Sequence, residues 1–423
     1  MKHNYSVILL IMILWFVISF ITNIMGPLIP DIISNFNLTH LALAGFIPTS
    51  FFVAYAVMSI PAGIMIEKFS EKTVLTIGFM MPLIGSLLFA LQPSYPVLLA
   101  SSFIIGLGMA MLQTVINPLT RVAGGEENFT FFSVMGQLVF GAASFVSPLV
   151  YSTLVRNLSD PVAHDTFTTR LLSGITPANL PWVSLYWVFA AILIVILVVV
   201  CLCKFPPIEL RDDEKSGSID SYKELFKNKT VYLFFLGILC YTATEQGIAN
   251  WISEFLRTYH NVNPQTEGAT IVGSFWGLMS VGCLVGLFAL KLFNAKHVLL
   301  VACSAALICL FAGILGSTSI ALIAFPALGF TLSVMFSIVM SLGLNSVSRH
   351  HGSFAGILCS GIVGGAIGPL IVGWIGDATN LKIAMSFIAI PLIYIMSIGI
   401  WARPLIENKT VRRKKLKIEK NRR

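Results

Sequence analysis

Stretches of about twenty consecutive apolar residues follow one another along nearly the whole chain, and this repetition constrains the fold more than any single motif. At 1.5 Å of rise per residue, a helix of that length crosses the roughly 30 Å hydrocarbon core of a bilayer. Splitting the runs at charge clusters, Pro and Gly predicts twelve spans, beginning near Tyr5, Leu41, Thr73, Tyr95, Asn128, Trp182, Thr230, Glu267, His297, Ile320, Ser353 and Leu381. Only 11% of the 423 residues are charged, against about 25% in soluble domains. The chain therefore reads as an all-α integral membrane protein, and its first span as a retained helix, since no small-residue cleavage site follows it.

The net charge of +8 would suit a nucleic-acid partner, but its placement argues against one. With both termini cytoplasmic, only Arg156, Arg170, Arg257 and Lys382 of the 27 Lys and Arg fall outside. That asymmetry is the positive-inside pattern, and it predicts a multi-pass protein of the plasma membrane, a bacterial inner membrane, with lipid and not nucleic acid around it. The basic tail beginning at Arg412-Arg413-Lys414-Lys415 reads as a topology anchor attracted to anionic headgroups. All seven cysteines fall in or at the ends of spans, where they read as small buried hydrophobes; no disulfide framework or metal spacing is implied.

Polar residues concentrate between Pro206 and Lys229. The predicted organisation is an N-terminal six-helix half over 1–205, a cytoplasmic linker over 206–229, a C-terminal half over 230–403 and a basic cytoplasmic tail over 404–423. Two registers support related halves. Gly63, in the loop after the second span, matches Gly286 after the eighth, 223 residues on; Pro148 in the fifth span matches Pro369 in the eleventh, 221 residues on.

Glu245 is the acid that stands near the middle of an apolar span. Such a residue costs roughly 2.5 to 3.5 kcal/mol to insert, so one that persists marks an ion or solute pathway. At about 100° per residue, Thr242, Glu245, Gln246, Asn250 and Ser253 fall on one face of the seventh span. Gln113, Asn117 and Thr120 share a face of the fourth, Ser133, Gln137, Gly141 and Ser144 one of the fifth, and Asn23 adds an amide in the first. Amides and a carboxylate supply both donors and acceptors, as sugar hydroxyls require. Trp251 and Trp276 offer flat faces for a sugar ring. Each amide alone reads equally well as a helix-to-helix bond. Ser, His and Asp are not grouped and no metal-type His/Cys spacing occurs, so an enzyme is not expected.

Six plus six spans, with Gly63, Glu67, Lys68 and Lys72 in the loop after the second, resemble the major facilitator superfamily, whose motif at that place latches the two halves. Ser70 and Glu71 depart from its usual glycine and basic residue. Within the superfamily, QTVINP (113–118), YTATEQ (241–246), SFWGLMSVG (274–282) and GIVGGAIGPLIVGWIGD (361–377) resemble the fucose-proton symporter family of sugar permeases. The resemblance implies twelve helices in two pseudo-symmetric halves and sugar uptake by alternating access, with no cofactor beyond a coupling ion, H⁺ or Na⁺, and a monomeric state. Fucose permeases carry acids at positions corresponding to Gly26 and Gln113, so their proton relay does not carry over. Glu245 is left as the cation-coupling candidate, with Asn23, Gln113, Asn117, Gln137, Gln246, Asn250, Trp251 and Trp276 as sugar contacts. An efflux carrier for an amphipathic compound and a non-transporting sugar sensor are the alternative readings.

Overall fold

A computed structural model describes residues 5–69, 71–124, 129–160, 166–203, 223–347 and 351–405. Residues 206–222 of the linker and 406–423 of the tail lie outside them, as do the side chains of Gly63, Glu67, Lys68, Asn117 and Ser133. Among the described residues, twelve helices are long and apolar enough to cross a membrane. The first half comprises α1 (Tyr5–Thr22), α2 (Met25–Asn35), α3 (Leu41–Lys68), α4 (Glu71–Leu91), α5 (Tyr95–Gly124), α6 (Phe129–Ser159), the short α7 (Phe167–Ile175) and α8 (Ser184–Leu202). The second comprises α9 (Lys229–Ala249), α10 (Ile252–His260), α11 (Ala269–Leu292), α12 (Ala295–Leu315), α13 (Thr318–Leu332), α14 (Met335–Leu344), α15 (His351–Ser360), α16 (Gly364–Ala378), α17 (Leu381–Ser386) and α18 (Ala389–Trp401).

Buried apolar side chains gather into two cores. One runs from Val7 to Val200 with Ala269 and Ala366 added from the second half, the other from Leu225 to Ala402 with Ile29 and Ala44 added from the first. Each half thus has its own interior, and the exchanged residues mark where the halves meet. Leu9, Val301, Ile308 and Ile323 stay exposed, because lipid is as apolar a neighbour as another helix.

The halves also repeat a capping device. Lys72, at the start of α4, donates from Nζ to the carbonyls of Cys201 and Cys203 at the end of α8. Lys296, 224 positions later at the start of α12, donates to the carbonyls of Ile400 and Ala402 at the end of α18, at 3.0 and 2.8 Å. A cation there satisfies carbonyls that have no partner within their helix and complements the helix dipole. The bonds of Lys72 lie within its own half and fasten α4 to α8; the side chains of Gly63, Glu67 and Lys68, the other members of the loop motif, lie outside the described residues.

Several spans are followed or interrupted by a break in the helix. α1 and α2 separate at Asn23–Ile24 because Pro27 has no N–H and its ring crowds the carbonyl of Asn23 four residues before. α9 and α10 separate at Asn250–Trp251, where the Asn250 side-chain amide takes the Gln246 carbonyl at 2.8 Å and competes with the backbone for it. The two breaks meet: a Cβ on Gly26 would stand 2.3 Å from the carbonyl oxygen of Ala249, so only glycine permits the approach.

Beyond that meeting point, towards the face that carries residues 36–40, the halves are joined. Gln265 Nε2 donates to Asp31 at 2.9 Å, Thr49 Oγ1 to the Ala366 carbonyl at 2.7 Å, and the backbone of Leu41 and Ala42 to Asp377. This face is sealed. On its other side the space between the halves runs down to Leu290, two residues before α11 ends.

Candidate functional site

Below the meeting of the breaks lies a cavity of ≈ 390 Å³ between the halves, at the small end of the range of small-molecule sites. Its polar wall is built by four elements. Asn23 enters from the α1/α2 break, Gln113 from α5, Gln137 from α6, and Tyr241, Thr242, Glu245 and Gln246 from α9. Trp276, Met279 and Ser280 of α11 face them, with Ser333 and Ser337 closer to the open end.

Asn23 is fixed from behind. Its Nδ2 donates to Ser144 Oγ at 2.8 Å, and that hydroxyl pairs with Ser19 Oγ at 2.6 Å. This leaves the Asn23 carbonyl as an acceptor beside the cavity. Gln137 is exposed to the cavity, and Gln113 and Glu245 are half-buried in its wall. The Tyr241 hydroxyl, one turn away, donates to Glu245 Oε1 at 3.1 Å. Among the described residues no cation pairs with Glu245, so a proton or a small cation is what would balance its charge. Trp276 closes one side with its ring edge-on to Phe275 at 5.3 Å between centroids.

The structure brings together Asn23, Gln113, Gln137, Glu245, Gln246 and Trp276 of the residues expected from sequence. Two others do not line the cavity. Asn250 is buried with its amide bonded back to Gln246, at 2.8 Å to the carbonyl and 3.1 Å to Oε1. Trp251 is wholly buried, and its Nε1 donates to the Pro369 carbonyl of α16 at 3.0 Å. Both form the break between α9 and α10, where a face drawn on a continuous helix no longer holds. Asn117 lies outside the described side chains.

Sequence reasoning passed over Tyr241 and Ser280, although Tyr241 stands four residues before Glu245 on the same face. It also passed over two acids nearer the sealed face. Asp31 is buried and held by the Tyr151 hydroxyl and Gln265. Glu254 is buried against Arg257, which grips it through Nε at 2.9 Å and a terminal nitrogen at 2.6 Å. That pairing pushes the Arg257 guanidinium above its ordinary value. Gly26 has no room for any side chain in this arrangement, which gives the absent acid there a steric reason.

Among the described residues, twelve membrane-length helices in two halves surround a small cavity with one polar wall, and this defines a class: helical multi-pass membrane proteins with a central site shared by two repeats. The chain belongs to the Major Facilitator Superfamily, whose family model matches residues 11–361. It is 27% identical to the glucose/galactose transporter of Brucella abortus biovar 1 (strain 9-941) over 393 residues, covering 92% of each chain. It is 25% identical to the L-fucose-proton symporter of Escherichia coli (strain K12) over 390 residues, covering 87% of this chain and 86% of that one. Among solved structures it resembles the E. coli fucose:proton symporter (TM-score 0.67, 22% identity, 94% and 98% covered). It also resembles a bacterial homologue of the human lysosomal transporter Spinster in an inward-facing, unoccupied conformation (TM-score 0.76, 16% identity, 95% and 97% covered).

Proposed function

We propose that this protein imports a hexose or hexose derivative by alternating access, coupled to H⁺ or Na⁺ through Glu245. The observation that carries the reading is the Glu245 carboxylate on the cavity wall, bonded to the neutral Tyr241 hydroxyl and faced by amides. Asn23, Gln113, Gln137 and Gln246 give the mixture of donors and acceptors that a polyhydroxylated ring needs. The glucose/galactose and fucose transport named for its relatives supports a sugar as the solute. Placed by the charge asymmetry, the sealed face is extracytoplasmic, both termini are cytoplasmic, and the cavity opens to the cytoplasm of a bacterial cell. A coupled importer would then deliver its load from this arrangement.

The test is uptake of one labelled hexose by proteoliposomes under an imposed pH gradient and, separately, a Na⁺ gradient, with a panel of unlabelled sugars as competitors. Gradient-driven accumulation that sugars suppress supports the reading and names the ion. Export of an amphipathic compound indifferent to sugars would replace it with an efflux carrier.

A further inference from the structure

The sealed face holds a contact that solute recognition leaves unexplained. α3 begins at Leu41, and its N-cap residue His40 makes no side-chain capping bond. The first N–H groups of a helix have no partner within it. Here Leu41 and Ala42 donate to the two carboxylate oxygens of Asp377, at 2.6 and 2.9 Å, and Asp377 belongs to the other half. It is the penultimate residue of α16. At that end a helix gathers partial negative charge and favours a cation. The acid therefore sits against the dipole of its own helix and along that of its partner. Gly373, one turn earlier, lets the two backbones approach: a Cβ there would stand 2.9 Å from Ala42 Cα. Asp31 answers from the first half by taking the Gln265 amide of the second.

We infer that Asp377 is a helix cap shared across the two halves, holding the sealed face shut. Opening that face strips α3 of its cap and strands a carboxylate at the unfavourable end of α16. The contact thus stabilises one conformation selectively, and a contact of that kind sets the balance between two states. The Asp31–Gln265 bond closes the same face with the roles of the halves exchanged. The inference requires only that the halves separate there, and it can be measured with no sugar or coupling ion present. Its failure would leave the sugar reading untouched, and the reverse also holds.

The experiment uses the full chain in lipid nanodiscs, with native cysteines replaced and spin labels on Ser34→Cys and Thr379→Cys, positions exposed on the two halves at the sealed face. With Asp377 intact, the short-distance population dominates. Asp377→Asn and Asp377→Ala should raise the long-distance population about fivefold to tenfold, the scale of losing a helix cap, while Asp377→Glu stays near the parent. Gly373→Leu, which forces the backbones apart sterically, should shift the distribution the same way. Unfolding temperatures establish that each variant is folded. An unchanged distribution in a folded Asp377→Ala protein overturns the inference; if that variant does not fold, an unchanged distribution in Gly373→Leu does so.

Discussion

The Tyr241 hydroxyl donates to the Glu245 carboxylate at 3.1 Å across one turn of α9. The acid in the cavity wall is thus held by a neutral donor that can stay in place whether or not a cation is bound. Glu245→Gln should abolish gradient-driven accumulation, bringing the inside-to-outside sugar ratio to about one, while sugar exchange at equal concentrations persists. Tyr241→Phe should retain coupling and weaken it by a few-fold, the scale of one net hydrogen bond of about 1 kcal/mol. Proteoliposome uptake with and without a gradient reads both, and full accumulation by Glu245→Gln would remove the coupling role.

Gln137 and Gln113 reach the cavity, whereas Trp251 is bonded away from it. Gln137→Ala and Gln113→Ala should each raise the KM for the transported sugar about tenfold, the scale of losing roughly 1.4 kcal/mol of binding. Trp251→Phe should leave KM unchanged and lower the unfolding temperature, because the Pro369 carbonyl loses its donor. Initial-rate uptake alongside thermal unfolding separates the two behaviours.

Gly141 of α6 faces Ser280 of α11 where the halves line the cavity, and a Cβ on Gly141 would overlap Ser280 Oγ at 1.3 Å. Gly141→Ala should destabilise this arrangement by about 1 to 3 kcal/mol. Adding Ser280→Gly should restore most of it, since the two residues share the space. A double-mutant cycle on unfolding temperature and uptake measures the coupling; additive losses would contradict the contact.

Lys72 and Lys296 cap the ends of α8 and α18. Lys72→Met and Lys296→Met should each cost up to about 1 kcal/mol of stability, with no change in which ion drives uptake. Thermal unfolding in detergent checks the first part and gradient-driven uptake the second.

Much of this was legible in the sequence because bilayer thickness sets a length that apolar runs either meet or miss. The membrane helices start within a few residues of where charge clusters and prolines placed them. The amides of α5 and α6 were legible too, since those helices run unbroken past Gln113 and Gln137. At Asn250 the helical face ends for a local reason: the helix breaks there, so Asn250 and Trp251 do not line the cavity beside Glu245. Asp31 and Asp377 were hidden differently. Their roles depend on Gln265 and on the start of α3, more than 230 positions away in sequence, and no periodicity reports a partner at that distance.

The paired lysine caps have a consequence for how such a chain can be divided. Each ties the third and sixth spans of one half and asks nothing of the other. A gene cut within codons 206–222 would yield two fragments, each with this fastening complete, and a duplicated half would inherit it without redesign. What neither fragment carries alone is the cavity: Asn23, Gln113 and Gln137 would be on one polypeptide and Glu245 and Gln246 on the other, so reassembly of the pair should be readable as the return of transport itself.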